Sequence, residues 1–93
     1  MLLEDLKKYV GKEVVVDTDT SVIYIGHLKD IRAFSLVFGE VDVHDMADGQ
    51  SNTTKEVYIM ECRRIGVRAN RKGVHVLTTR VMSISLLDDI IDY

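Results

Sequence analysis

The sequence predicts a mainly β fold: an N-terminal helix followed by a small, strongly bent, five-stranded antiparallel barrel with an elongated hairpin inserted in it. Three observations point there. Apolar spacing changes from helical to alternating at Gly11, short β-branched runs follow one another with turn residues between them, and two of those runs carry an internal glycine. Ninety-three residues make one domain. A chain this short buries only about two-thirds of its unfolded surface, so self-association would add stability.

The elements follow in order. Residues 1–11 read as a helix, because Leu2, Leu3, Leu6, Tyr9 and Val10 recur at spacings of three and four. Glu4 and Asp5 lie near its N-terminus and Lys7 and Lys8 near its C-terminus, the sense that complements the helix dipole. Gly11 is suited to stop it. So short a helix must pack on something else to persist.

"EVVVDTD" (13–19) and "VIYIGHL" (22–28) are strands joined by turn chemistry, hence a hairpin with Val14 and Val16 on one face. Gly26 within the second run marks a bulge or tight bend. "FSLVFGEVDV" (34–43) is a third strand, again with an internal glycine, Gly39. "HDMADGQSNTT" is a polar loop, and "KEVYIMECRRIGV" (55–67) reads as a further extended segment. "VHVLTT" and "RVMSISLL" form one long bent strand or two short ones meeting near Thr79 and Arg80. "DDIIDY" is an acidic tail, either a short final helix or a frayed end.

Composition narrows the functional classes. No apolar run approaches the 18 or so residues of a membrane span. The N-terminus carries acids where a secretory signal would carry bases, and the single cysteine, Cys62, rules out an internal disulfide. A reducing cytoplasm is the expected setting. A net charge of −3 argues against a generally basic, nucleic-acid-coating protein. Even so, Arg63, Arg64, Arg68, Arg71 and Lys72 place five of the twelve basic residues in one short stretch, a possible secondary basic surface for a polyanion. Its alternative is an ordinary solvated face.

The sequence offers no catalytic motif: there is no nucleophile elbow, no Ser-His-Asp pattern and no Gly-rich phosphate loop. His27, His44, His75 and Cys62 show no ligand spacing, so no metal and no cofactor is expected. His44 between Asp42 and Asp45 reads as a polar hairpin end.

"LKKYVGKEVVVDTDTSVIYIGHLKDIRAFSLVF" resembles the first motif of the Sm and Sm-like (LSm) family, archaeal Sm-like type, through Gly11, Val14, Val16, Gly26 and Leu28. The resemblance divides the chain into a helix (1–11), first-motif strands (12–43), a variable loop or hairpin (44–72), second-motif strands (73–87) and an acidic tail (88–93). It departs from the family at the turn. Arg32 stands where an Asp is expected, and Phe34 and Ser35 fall on the apolar-Asn pair. "GVHVLTTRVMSIS" is preferred for the second motif, with Leu77, Thr78 and Thr79 in place of Ile-Arg-Gly and Arg80 following; "GVRAN" (66–70) is the alternative.

The resemblance implies a homo-oligomeric ring closed by strand-edge pairing, which binds single-stranded RNA without catalysis. Arg32, Phe34, Ser35, Thr78 and Arg80 become the candidate RNA-binding residues. Phe34 would stack on a base, Ser35 would bond to its edge, and Arg80 would pack from the other side. The bland alternatives are a core aromatic at Phe34, a strand polar residue at Ser35 and solvated arginines. A second functional reading is an Sm-like scaffold for protein interactions that has lost RNA readout. A third is another small barrel, SH3-like or PRC-type.

Overall fold

The computed structural model describes residues 3–47 and 54–91. Five antiparallel strands form one sheet: β1 (Glu13–Thr18), β2 (Val22–Ile31), β3 (Ser35–Asp45), β4 (Val74–Leu77) and β5 (Val81–Leu86). Their spatial order is β4-β3-β2-β1-β5. The one α-helix, α1 (Lys55–Ile65), lies in the excursion between β3 and β4.

The predicted hairpin of β1 and β2 is present, with Val14 opposite Gly26 and Val16 opposite Tyr24. Gly26 is the bend. A Cβ there would lie 2.5 Å from the Glu40 carbonyl oxygen and 2.6 Å from Val41 Cα, so only glycine admits β3 this close. The β2–β3 register slips between Gly26 and Leu28 and again between Leu28 and Asp30. These bulges curl both long strands around the interior. That interior holds Val14, Val16, Leu28, Leu36, Phe38, Val41 and Val76, all buried. Each such side chain contributes about 1.5–3 kcal/mol relative to exposure.

The barrel expected from the sequence is corrected to an open sheet with bulged long strands. β4 and β5 lie at opposite edges of the sheet, joined by a 3-10 turn over Thr78–Arg80. This turn does not reverse the chain as a hairpin loop would. It swings β5 across onto β1, where Val14 pairs with Leu86 and Val16 with Ile84. The last two strands therefore come from the 73–85 stretch, while 66–70 runs outside the named elements.

The N-terminal segment winds as a 3-10 helix, Leu3–Tyr9, with i→i−3 bonds continuing from Val10 N–H to Lys7 and Lys12 N–H to Tyr9. Seven residues is long for this tighter form, whose runs usually stop at three or four. Leu6 anchors it in the interior, and Gly11, at φ 86°, ends it in the left-handed region that favours glycine. Gly11 N–H then donates to the Leu28 carbonyl at 2.7 Å, fixing the segment to β2.

The elongated hairpin expected over 44–72 is corrected: 55–65 is helical. Val57, Tyr58 and Ile59 give the segment a β-like composition, but its end signals are those of a helix. Thr54 accepts from Val57 N–H as N-cap, Glu56 lies in the first turn, Arg63 and Arg64 in the last, and Gly66 at φ 101° follows. Ile59 and Cys62, three apart, turn inward onto Val15, Ile23, Ile25 and Leu87. α1 thus covers the outer face of the sheet, and the Val14–Val16 run is buried on both sides. The tail gives a 3-10 turn, Leu87–Asp89, rather than a frayed end there. Its last two residues, 92 and 93, and the loop 48–53 lie outside the described residues.

Candidate nucleic-acid interface

Two turns meet at one end of the sheet. The first, 32–34, joins β2 to β3, and the Arg32 N–H donates to the Ser35 carbonyl at 2.8 Å. The second is Thr78–Arg80, and Thr78 N–H donates to the Phe34 carbonyl at 3.0 Å. The strands deliver this contact: Ser35 pairs with Leu77 as the first rung of β3–β4. Residues far apart in sequence, Arg32, Phe34 and Ser35 on one side and Thr78 and Arg80 on the other, are therefore neighbours through two adjacent turns.

Phe34 is 78% exposed. The core alternative is thereby excluded for it: Phe38 is the core aromatic, and Phe34 projects its ring outside the packed interior. Ser35 and Thr78 are half-buried, and Arg32, Thr79 and Arg80 are exposed. Leu77, next to the second turn, is exposed as well. Beside this turn a groove of about 360 Å³ runs between the β1–β2 hairpin and β4, lined among others by Thr18, Tyr24, His75, Leu77 and Arg80.

Both arginines already have carboxylate partners. Arg80 Nη1 donates to Asp19 Oδ2 at 3.1 Å, and Arg32 Nε lies 3.6 Å from Asp30 Oδ2. The Asp19–Arg80 pair is backed by a main-chain bond from Asp19 N–H to the Arg80 carbonyl at 3.0 Å. Neither aspartate stood out in the sequence. Asp30 is two residues before Arg32 at the end of β2, whereas Asp19 follows β1, the strand that β5 pairs with just after Arg80.

The second basic stretch does not converge on these turns. Arg63 and Arg64 occupy the last turn of α1, Arg68 follows it, and Arg71 bridges to Val41 in the middle of β3. Lys72 precedes β4 at the end remote from Thr78. All five side chains are exposed.

A buried polar cluster holds α1 to β3. Asp42, only 3% exposed, accepts from the Tyr58 hydroxyl and, at 3.3 Å, from Asn70 Nδ2. Asn70 also brackets Val43, accepting from its N–H and donating to its carbonyl. The His44 ring stacks on Tyr58, centroids 4.0 Å apart. Burial first, and then the hydrogen bond to Asp42, push the Tyr58 phenol well above its usual range. Burial, with the Asp42 charge next, pushes the Cys62 thiol up to about 11. Both groups sit on the inner face of α1 and hold their protons at neutral pH. Among the described residues no three His, Cys, Asp or Glu side chains gather as a metal ligand set, and no helix is long and apolar enough to cross a membrane.

The chain matches no protein-family model, and no curated protein matches it significantly.

Proposed function

We propose that this protein is a non-catalytic Sm-like RNA-binding protein, acting as an oligomeric ring on single-stranded RNA in ribonucleoprotein assembly. The observation that carries the reading is the main-chain contact between the 32–34 and 78–80 turns, which brings exposed Phe34 against Thr78, two residues before Arg80. An exposed aromatic flanked by hydroxyl and guanidinium groups is how unpaired bases are generally held. Five antiparallel strands, with register shifts along β2 and β3, support the reading. Each outermost strand, β4 and β5, pairs on one side only, leaving an edge on which a second copy can add. Pairing of β4 with β5 of the next copy would close a ring.

A scaffold for protein partners is the second reading. The exposed apolar side chains Phe34, Leu77 and Met82 favour it, since such residues also serve protein contacts.

Fluorescent oligo-U and oligo-A, titrated at two salt concentrations against the wild type and a Phe34→Ala, Arg80→Ala double variant, test the proposal. Micromolar binding at low salt is expected, weakened about ten-fold or more in the double variant through lost stacking. No binding at low salt would leave the scaffold reading; binding unchanged in the double variant would move the interface to the Arg63–Lys72 stretch. Light scattering on the same samples should give a mass several times 10.6 kDa; a monomer at tens of micromolar removes the ring.

A further inference from the structure

We infer that Asp19 and Asp30 are specificity-determining residues of the candidate interface, masking its two arginines so that ligands are held by stacking rather than by charge. This rests on the RNA-binding reading above and names the class of RNA it takes: a short unpaired segment, read neither by its base edges nor chiefly by its phosphates.

The charge argument comes first. The interface contributes two cations, Arg32 and Arg80, and the pairs to Asp30 and Asp19 cancel both. A phosphate approaching either arginine meets the opposing charge of a carboxylate beside it, which lowers the net attraction. The pairs are not fixed, since the arginine side chains are each 63% exposed and the carboxylates 55% and 38%. Exposed pairs of this kind contribute little to stability, so the masking is modest and removable without loss of the fold.

The base-edge argument follows. Three main-chain donors at the turns are taken: Arg32 N–H by Ser35, Thr78 N–H by Phe34 and Asp19 N–H by Arg80. The uncharged polar side chains there are all hydroxyls, at Ser35, Thr78 and Thr79. A hydroxyl rotates to donate or accept, so it satisfies any base and selects none. The exposed Phe34 ring is equally tolerant, because every base presents a π face. Stacking without selection, at a turn pair of zero net charge, is the chemistry left.

Asn replacements test this without disturbing the turns. Asp30 Oδ1 also accepts from Ile31 N–H at 2.8 Å, and an asparagine oxygen keeps that bond while losing the charge. Oligo-U and oligo-A binding would be measured from low to moderate salt for the wild type, Asp19→Asn, Asp30→Asn and the double variant. Asp88→Asn serves as a control that changes net charge equally at the far end of β5. Thermal melts check the fold.

The wild type should bind both oligomers alike and with a shallow salt dependence. Each Asn variant should bind about two- to five-fold more tightly at low salt, the range expected of one exposed pair. The slope of log affinity against log salt should steepen by about 0.7 for each arginine released. A wild type whose affinity and slope are matched by the double variant, or an Asp88→Asn control that gains as much, overturns the masking alone. Binding by the double variant but not by the wild type upholds masking and removes RNA as the native ligand. No binding by either removes both.

Discussion

Charge placement at single residues controls α1 more than its composition does. Asp42 is buried, and its carboxylate is tolerated because Tyr58 and Asn70 donate to it from the segment that covers it. Cys62, on the inner face of α1, keeps its proton up to about 11, against 9.0 for an ordinary thiol. Between these values the folded chain holds a proton that the unfolded chain has lost, so stability falls as pH rises through the window. Tyr58, raised for the same reason, extends the loss above pH 10.0. Urea midpoints measured from pH 8 upward should therefore decline from about pH 9. In Cys62→Ala the decline should begin later, near the tyrosine range; an unchanged onset would show that the thiol is not the group responsible. The sequence could not disclose this cluster. Asp42, His44 and Asp45 look like a solvated hairpin end until α1 is laid over the first two.

At the level of elements, the three long strands were legible because their alternation and glycines carry their geometry locally. Gly26 was expected at a bend, and the closeness of Glu40 and Val41 is the reason it must be glycine. Gly26→Ala would drive a Cβ into backbone, not into a yielding side chain. It should cost about 3 kcal/mol or more, read as a drop in thermal midpoint, whereas the same change at Gly39, where the nearest atom is 3.7 Å away, should cost far less. The helix was missed. "KEVYIMECRRI" mixes Val, Tyr and Ile with good helix formers, its cap signals at Thr54 and Gly66 went unread, and the burial of Ile59 and Cys62 on Val15, Ile23 and Ile25 is non-local. The two candidate turns were legible in position, at 32–35 and 78–80, while the aspartates that neutralise them were not. The Asp19–Arg80 pair joins distant turns and leaves no periodicity to read, while Asp30 and Arg32, two apart, are an ordinary charged neighbour pair until the turn brings them together.

For the whole molecule, the open sheet sets both what the protein can join and how it is assembled. β1, β2 and β3 form a meander whose neighbours in space are neighbours in sequence. β4 reaches β3 only after the chain has built α1, and β5 reaches β1 only after everything else has been traversed. The β1–β5 ladder thus carries a kinetic consequence. Bringing Val14 to Leu86 closes the longest loop in the fold, and loop entropy delays such contacts until local ones can repay them. The rate-limiting barrier should accordingly be crossed with the meander formed and the outer strands unformed. Stopped-flow refolding of Ile25→Val should then slow in step with its loss of stability, whereas Ile84→Val should refold at the wild-type rate and unfold faster. The reverse pattern would mean that the ladder forms first. If β4 and β5 are the last to be laid down, the meander meanwhile leaves the outer edges of β3 and β1 unpaired, so the folding chain is most open to pairing with a neighbour just before its own last strands cover them.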